Sequence, residues 1–400
     1  MDYHKRDLTT LEPRSRRVLV RVDFNVPLKD GRVADDTRIR ASIPTLQWLS
    51  DRGARVILMS HLGRPKGGPD PKYSLAPVAA KLGELMKRTI AFAPDCVGPP
   101  AESAVAALRD GELLLLENLR FHAEEEANDP AFAARLAALG EMYVDDAFGT
   151  AHRAHASTEG VPRLCRPAVA GFLIQRELEY LGKALDRPKR PFAAVLGGAK
   201  ISGKIDVIQA LMGKVDRLLI GGAMMFTFAR AQGLGTGRSL VEEDRVATAR
   251  EVLDAARARG VELILPVDCV VSTATDGSAP ARAVAIAELS ANDIGVDIGP
   301  GTTRLFADRL RDCATVLWNG PMGIFEVPAF SEGTLQVART LAEIGSRGAV
   351  TVVGGGDSVA AIQQSGLAER FTHLSTGGGA SLEFLEGKVL PGIAVLDDAS

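Results

Sequence analysis

The sequence predicts an α/β protein with doubly wound parallel sheets, divided into two domains. Three observations carry that expectation. A chain of 400 residues is too long for one ordinary hydrophobic core. Short apolar runs recur along its whole length, each ending in glycine or polar residues, with Ala/Leu-rich amphipathic stretches between them. The runs are continuous in Val, Ile and Leu rather than alternating, which fits strands covered by helices on both faces. Strand and helix patterns in alternation give a parallel sheet wound in both directions.

In chain order, the first half holds RVLVRVDFN, ARVILMSH, LLLLENLR and EMYVDDAFG. The second half holds FAAVLGG, RLLIGG, VELILPVD, ATVLWNG, AVTVVGGG and THLSTGGG. Between them lies GFLIQRELEYLGKALDRPKRPF, whose middle reads as a helix. That helix should end at Arg187-Pro188, because a residue before proline is pushed out of the helical region. The expected organisation is an N-terminal domain over 1–172, a linker or hinge helix over 173–190, a C-terminal domain over 191–385, and a segment 386–400 returning to the N-terminal domain.

Composition narrows the function class. Lysine and arginine number 47 against 50 acidic residues, a net charge of −3, so no global field draws nucleic acid or membrane. Cys96, Cys165, Cys269 and Cys313 lie far apart with no CxxC pair, which argues against a zinc site and suggests no disulfide framework. The start of the chain lacks the apolar stretch of a signal peptide, and no run of apolar residues is long enough to span a bilayer. A cytoplasmic enzyme acting on small molecules is expected.

In doubly wound sheets ligands bind at the carboxyl ends of the strands. Those endings differ between the halves. The first half presents Asp23, Asn25, His61, Arg64, Arg120 and Arg153, with Arg38 close behind. A guanidinium is permanently charged and its planar fork matches phosphate or carboxylate. One such arginine is ordinarily a solvated side chain; four at separate strand endings point to an anion site. Asp23 and Asn25 are two apart along one strand direction and are expected to point the same way, toward a substrate hydroxyl. His152 and His155, in HRAH, are expected on one helical face as phosphate contacts rather than metal ligands.

The second half presents glycines. Gly198, Gly203 and Lys204 fit G-x-x-x-x-G-K, but Ile205 replaces the hydroxyl residue a P-loop needs. Lys200 and Lys204, four apart, are expected to share a helix face. GGGDS over 354–358 and STGGG over 375–379 each follow a strand and open a helix, where free amides and the helix dipole attract phosphate. Asp357 would be repelled by a bare phosphate and makes sense as a magnesium ligand. Asn319, Pro321 and Glu326 in WNGPMGIFE are candidates for a base or sugar pocket, and GGAMMFTF around Gly222 for a wall against a flat base.

Taken in order, RVDFNVPL, SHLGRP, ENLRF, DDAFGTAHRAHAST, GFLIQRELEYLGKAL, LGGAKISGKI, WNGPMGIFE, GGGDS and STGGGASLEFLEGKVLPG resemble the phosphoglycerate kinase family over nearly the whole chain. The resemblance implies two Rossmann-like domains facing across a cleft, joined by a helical linker that bends as a hinge. It implies a glycolytic enzyme moving the acyl phosphate of 1,3-bisphosphoglycerate to ADP, giving 3-phosphoglycerate and ATP, with Mg2+ as the metal. Carried onto this sequence, the triose site comprises Asp23, Phe24, Asn25, Arg38, His61, Leu62, Gly63, Arg64, Arg120 and Arg153. The nucleotide site comprises Lys200, Lys204, Gly222, Asn319, Pro321, Glu326, Gly354, Gly355, Gly356, Asp357 and Ser358, with Asp357 on the metal. Arg38, Lys200, Gly378 and Gly379 would act on the transferring group. Two departures stand out. Gly203 replaces an aspartate common in the family, and EEANDP over 125–130, expected on a surface loop, replaces a Glu/Gly/Lys-rich stretch.

Overall fold

The structure, a computed structural model, describes residues 4–66 and 68–399. The chain divides into two units: one takes the residues up to Glu179 and those from Val389 onward, the other takes Tyr180–Lys388. The break falls inside the helix Phe172–Asp186 rather than at its ends. Ile174, Leu178, Leu181 and Leu185 are buried at helical spacing, so one amphipathic helix carries the chain through the break.

In the first unit a sheet of six strands runs in the order Ala91–Ala93, Leu113–Leu116, Arg55–Met59, Arg17–Val22, Met142–Asp146 and Ala168–Ala170. Every pairing is parallel. The chain fills the sheet on one side of Arg17–Val22 first and crosses to the other side after Leu113–Leu116, so the winding reverses between Arg17–Val22 and Met142–Asp146, where a crevice is expected beyond their carboxyl ends. Val18, Val20 and Val22 on that strand pack with Ile39, Leu46 and Leu49 of the helix Thr37–Asp51 in one apolar cluster. The segment beyond Val389 is tied in through backbone bonds from Gly392 to Ala151 O (2.9 Å) and from Asp397 to Ala168 O (2.8 Å).

The second unit repeats the plan in the order Glu262–Ile264, Arg217–Ile220, Phe192–Leu196, Thr315–Asn319, Val350–Gly354 and His373–Leu374. Ranked by position in the chain this is 3-2-1-4-5-6, the doubly wound order of dinucleotide-binding sheets. The switch point lies between Phe192–Leu196 and Thr315–Asn319, so Gly197, Gly198, Asn319 and Gly320 border the crevice.

The apolar runs all appear as strands, but additional strands accompany them. Ala91–Ala93 and Ala168–Ala170 extend the first sheet, and Leu28–Lys29 pairs with Arg32–Val33 as a small hairpin. An antiparallel sheet of Asp268–Ser272, Arg282–Ala285 and Ile294–Ile298 adds to the second unit. The single run VELILPVD is two structures: Glu262–Ile264 belongs to the parallel sheet, and beyond Pro266 the chain starts the antiparallel one.

Candidate functional site

In the first unit the basic residues gather around one buried imidazole. His61, just past Arg55–Met59, is 4% exposed. Its pKa is held well below the usual value, first by burial and then by the charges of Arg21, Arg120, Arg38 and Arg153. The charges of those four guanidiniums all reach His61. Arg21 Nη2 lies 3.2 Å from His61 Nδ1. A guanidinium can only donate, so Nδ1 of the neutral ring accepts and Nε2 carries the proton. His155 is likewise lowered, to about 4, by burial and then by the charges of Arg120, Arg21 and Arg153.

The loops that bear these groups are braced from below. Asn118 accepts from Leu62 N (3.2 Å) and Arg120 N (3.0 Å), and its amide donates to Leu62 O (2.7 Å). Arg120 Nη1 donates to Gly63 O at 2.8 Å, and Gly63 N donates to Asn25 Oδ1 at 2.9 Å. Gly63 has φ +61, and a Cβ there would lie 2.3 Å from the Tyr73 ring, so this corner of the loop requires glycine. Phe24 and Leu62 bury their side chains in the apolar cluster, which leaves only their backbone for a ligand.

Several local expectations are corrected. The strand ends at Val22, so the alternation rule does not reach Asp23 and Asn25, and the two diverge. Asp23 Oδ2 accepts from Arg38 Nη1 at 2.5 Å, while Asn25 serves Gly63. Arg38 sits in the first turn of the helix Thr37–Asp51 rather than at a strand end. Arg64 is exposed in the loop past His61. His152 and His155 stand in a bend, not on one helical face, and Thr158 Oγ1 donates to Arg153 O (2.8 Å) to fix that bend. Glu125 is not on a surface loop but fully buried: its carboxylate accepts from Ser157 N (2.9 Å) and Ser157 Oγ (2.5 Å). Ser157 Oγ in turn accepts from Arg21 Nε (2.8 Å).

Arg21 is thus a member of the site that sequence reasoning missed. It is 1% exposed and lies inside the central strand. The signal was present as a charged residue in the middle of an otherwise apolar run. Asp145 and Asp146 carry a similar signal at the end of Met142–Asp146. Burial pushes their carboxyls up to about 7 and about 8, and Asp146 Oδ1 accepts from Leu173 N (2.9 Å) at the start of Phe172–Asp186.

In the second unit Lys200 and Lys204 do not share a helix face. The helix begins at Ile205; Lys200 is exposed on the turn before it, and Lys204 is buried at its N-cap. Lys204 Nζ donates to Asn319 Oδ1, and burial lowers its pKa to about 8 against the opposing pull of Asp357. Asn319 is 2% exposed, and its Nδ2 finds no hydrogen-bond partner among the described residues. That orphaned donor lies under Gly355, where a Cβ would approach it to 3.1 Å at φ +93. Only glycine lets the backbone come this close at this φ.

Gly355 caps the helix Gly356–Gln364, with Asp357 exposed in its first turn. Ser358 Oγ accepts from Gly320 N (2.7 Å), which ties this helix to the end of Thr315–Asn319. Gly378 caps the short helix Gly379–Leu385. A Cβ on Gly354 would meet Ser381 Cβ at 3.6 Å, so the two glycine turns are neighbours. Gly222 N donates to Met322 O (3.1 Å) and Gly198 N to Pro321 O (2.8 Å), interlocking three strand ends. Glu326 is exposed on the loop after Pro321.

The family model described as phosphoglycerate kinase matches residues 8–388. Phosphoglycerate kinase of Chlorobium chlorochromatii is 57% identical over 395 residues, covering 98% of this chain and 100% of that protein. The chloroplastic enzyme of Volvox carteri is 55% identical over 98% of this chain and 85% of its own length. Among solved structures, phosphoglycerate kinase from Coxiella burnetii aligns with a TM-score of 0.88 at 39% identity, covering 98% of both chains. That from Pyrococcus horikoshii OT3 aligns at 0.83 and 31%, again over 98% of each. The chain belongs to the phosphoglycerate kinase family.

Proposed function

We propose that the two units divide the family reaction, reversible transfer of the acyl phosphate of 1,3-bisphosphoglycerate to ADP, as their strand endings suggest. The first unit takes the triose. Arg64, Arg120 and Arg153 anchor its 3-phosphate, His61 donates from Nε2, and Asp23 and Asn25 meet the hydroxyl. The second unit takes the nucleotide. Lys204 holds phosphate oxygens, the orphaned Asn319 amide gains an acceptor, and Gly354, Gly355, Gly356 and Ser358 present backbone at the helix start. Gly222, Pro321 and Glu326 border the base and ribose. Arg38, Lys200 and the amides of Gly378 and Gly379 meet the group in transfer.

In the direction of ATP use the nucleophile is a carboxylate with a pKa near ~4, already ionised at neutral pH. No general base is needed, so positioning and charge neutralisation carry the rate. The donor set near Asp357 fits magnesium: one exposed carboxylate beside a phosphate cradle, the remaining positions left to phosphate oxygens and water. When bound, magnesium neutralises charge on the phosphate chain. In-line transfer requires both ligands to meet, so closure through Phe172–Asp186 belongs to the proposal, as do a monomeric state and a cytoplasmic location.

The observation that carries this reading is the basic lining of the His61–Gly63 loop: Arg21 Nη2 lies 3.2 Å from His61 Nδ1, Arg120 Nη1 donates to Gly63 O at 2.8 Å, and Arg38 Nη1 donates to Asp23 at 2.5 Å. A site with this charge favours a substrate that bears its own phosphate over a simple carboxylic acid. The test is ADP formation from ATP with 3-phosphoglycerate or with acetate, magnesium added or withheld. Turnover with 3-phosphoglycerate and magnesium only is expected; equal turnover of acetate would overturn the reading.

A further inference from the structure

The edge of the first sheet carries a second cluster that the transfer reaction does not use. Asp95 and Cys96 lie in the bend between Ala91–Ala93 and the helix Pro99–Ala107. His122 lies past Leu113–Leu116, the strand paired with Ala91–Ala93. One carboxylate oxygen, one thiol sulfur and one imidazole nitrogen from these residues lie within 4.8 Å of one another. The geometry points to a binding site for a borderline-soft divalent cation, of which zinc is the type, made by Asp95, Cys96 and His122.

Four features support it. Sulfur, imidazole and carboxylate together form a zinc-type donor set, whereas magnesium prefers oxygen alone. Tetrahedral bond lengths place such donors roughly 3.3–3.6 Å apart, so no pair needs to close by more than about 1.5 Å and the His122–Asp95 pair, at 2.7 Å, needs to open by under about 1 Å. The imidazole is held in position: His122 Nε2 pairs with Asp95 Oδ1 at 2.7 Å, and its ring lies 5.2 Å from that of the buried Phe132. Access is open on one side only. Cys96 is 1% exposed, while the side chains of His122 and Asp95 are 26% and 39% exposed, so an ion can enter from solvent and reach the thiol at the back.

Binding breaks the His122–Asp95 hydrogen bond, the ring proton moves through solvent to Nδ1 so that Nε2 can ligate, and a metal–sulfur bond forms as the thiol proton leaves to solvent. Three protein ligands leave the fourth position to water. The bound ion would fasten the exit of Ala91–Ala93 to the loop that carries Arg120, two residues before His122.

Cobalt(II) is the probe, because a thiolate–cobalt bond gives a near-ultraviolet charge-transfer band that carboxylate or imidazole binding does not. Metal-free full-length protein titrated with cobalt should develop that band to one equivalent, and zinc should abolish it by competition. Cys96→Ser should lose the band, and Cys165→Ser should keep it. His122→Ala and Asp95→Asn, which alter partly exposed side chains, should each weaken zinc by at least about tenfold. They should also lose the rise in thermal midpoint that zinc gives the parent. Absence of the band in folded parent protein, or a band unchanged in both Cys96→Ser and His122→Ala, overturns the site.

Discussion

Replacing Arg21 by methionine isolates the network beneath the anion site. Arg21 donates to Ser157 Oγ at 2.8 Å, to Val22 O, and to His61 Nδ1 at 3.2 Å. Ser157 joins it to the buried Glu125. Methionine keeps much of the volume, so the cavity cost is small and the loss is mainly electrostatic. Hydrogen bonds from a charged group net about 1.5–3 kcal/mol each, but they are not additive. Breaking one side of a buried charge network costs about 3–5 kcal/mol, and that is the expected loss for the first unit near neutral pH. The loss should depend on pH. Burial raises the Glu125 pKa and Arg21 opposes the rise. Without Arg21 the folded state holds the Glu125 proton more tightly, and a group raised on folding adds stability at low pH and loses it as pH climbs. His61 works in the same sense: its depressed pKa costs stability below the unfolded value near 6.5, and removing Arg21 relieves part of that cost. The deficit of Arg21→Met should therefore shrink as pH falls from about 8 to about 5.5.

The two tryptophans make the measurement local, since Trp48 lies in the first unit and Trp318 in the second. Equilibrium denaturation followed by Trp48 fluorescence, in a Trp318→Phe background, reads the first unit. A loss under about 1 kcal/mol, or a deficit equal at both pH values, would refute the network argument.

Further outcomes follow from the same geometry. Arg38→Ala should leave ADP affinity within about twofold of the parent and lower kcat by at least about a hundredfold, measured by calorimetry and coupled assay. Lys204 titrates at about 8 because of burial, so nucleotide affinity should fall as pH rises past that value and its ammonium discharges. Lys204→Met should bind weakly with no such pH dependence. A Cβ on Gly356 meets nothing within 4 Å, so Gly356→Ala should cost under about 1 kcal/mol in stability yet weaken ADP binding by blocking close approach to the backbone. Burial raises Asp146 to about 8, so its charge costs stability progressively as pH climbs from about 4 to about 8. Asp146→Asn should gain on the parent steadily over that range in denaturant titrations.

The longer strands were readable because each is built round a short, mostly apolar run. Ala91–Ala93 and Ala168–Ala170 were not, since three residues are too few to show a period. The antiparallel addition was hidden because Pro266 divides one apolar run between two sheets. Site residues were readable by type wherever a charge followed a strand. Arg21 was not, because within a strand run it reads as an exposed edge residue, and only the third dimension shows Ser157 and Glu125 behind it. The lysine pair misled for a different reason. Four-residue spacing implies a shared face only where a helix exists, and here the helix starts one residue after Lys204. The glycines of 354–356 were informative because their role is set by backbone, which local sequence can signal.

The first unit is discontinuous: residues from Val389 onward complete it after the whole of Tyr180–Lys388. A ribosome delivers the chain in one direction, so the second unit can finish folding while the first still waits for material. Until that material arrives, Ala151 O lacks the Gly392 amide and Ala168 O lacks the Asp397 amide. Ala151 lies two residues before Arg153. The order of segments along the chain therefore acts as a clock on biosynthesis, and a nascent chain halted before Val389 would lack the tie at Ala151 that steadies the approach to Arg153.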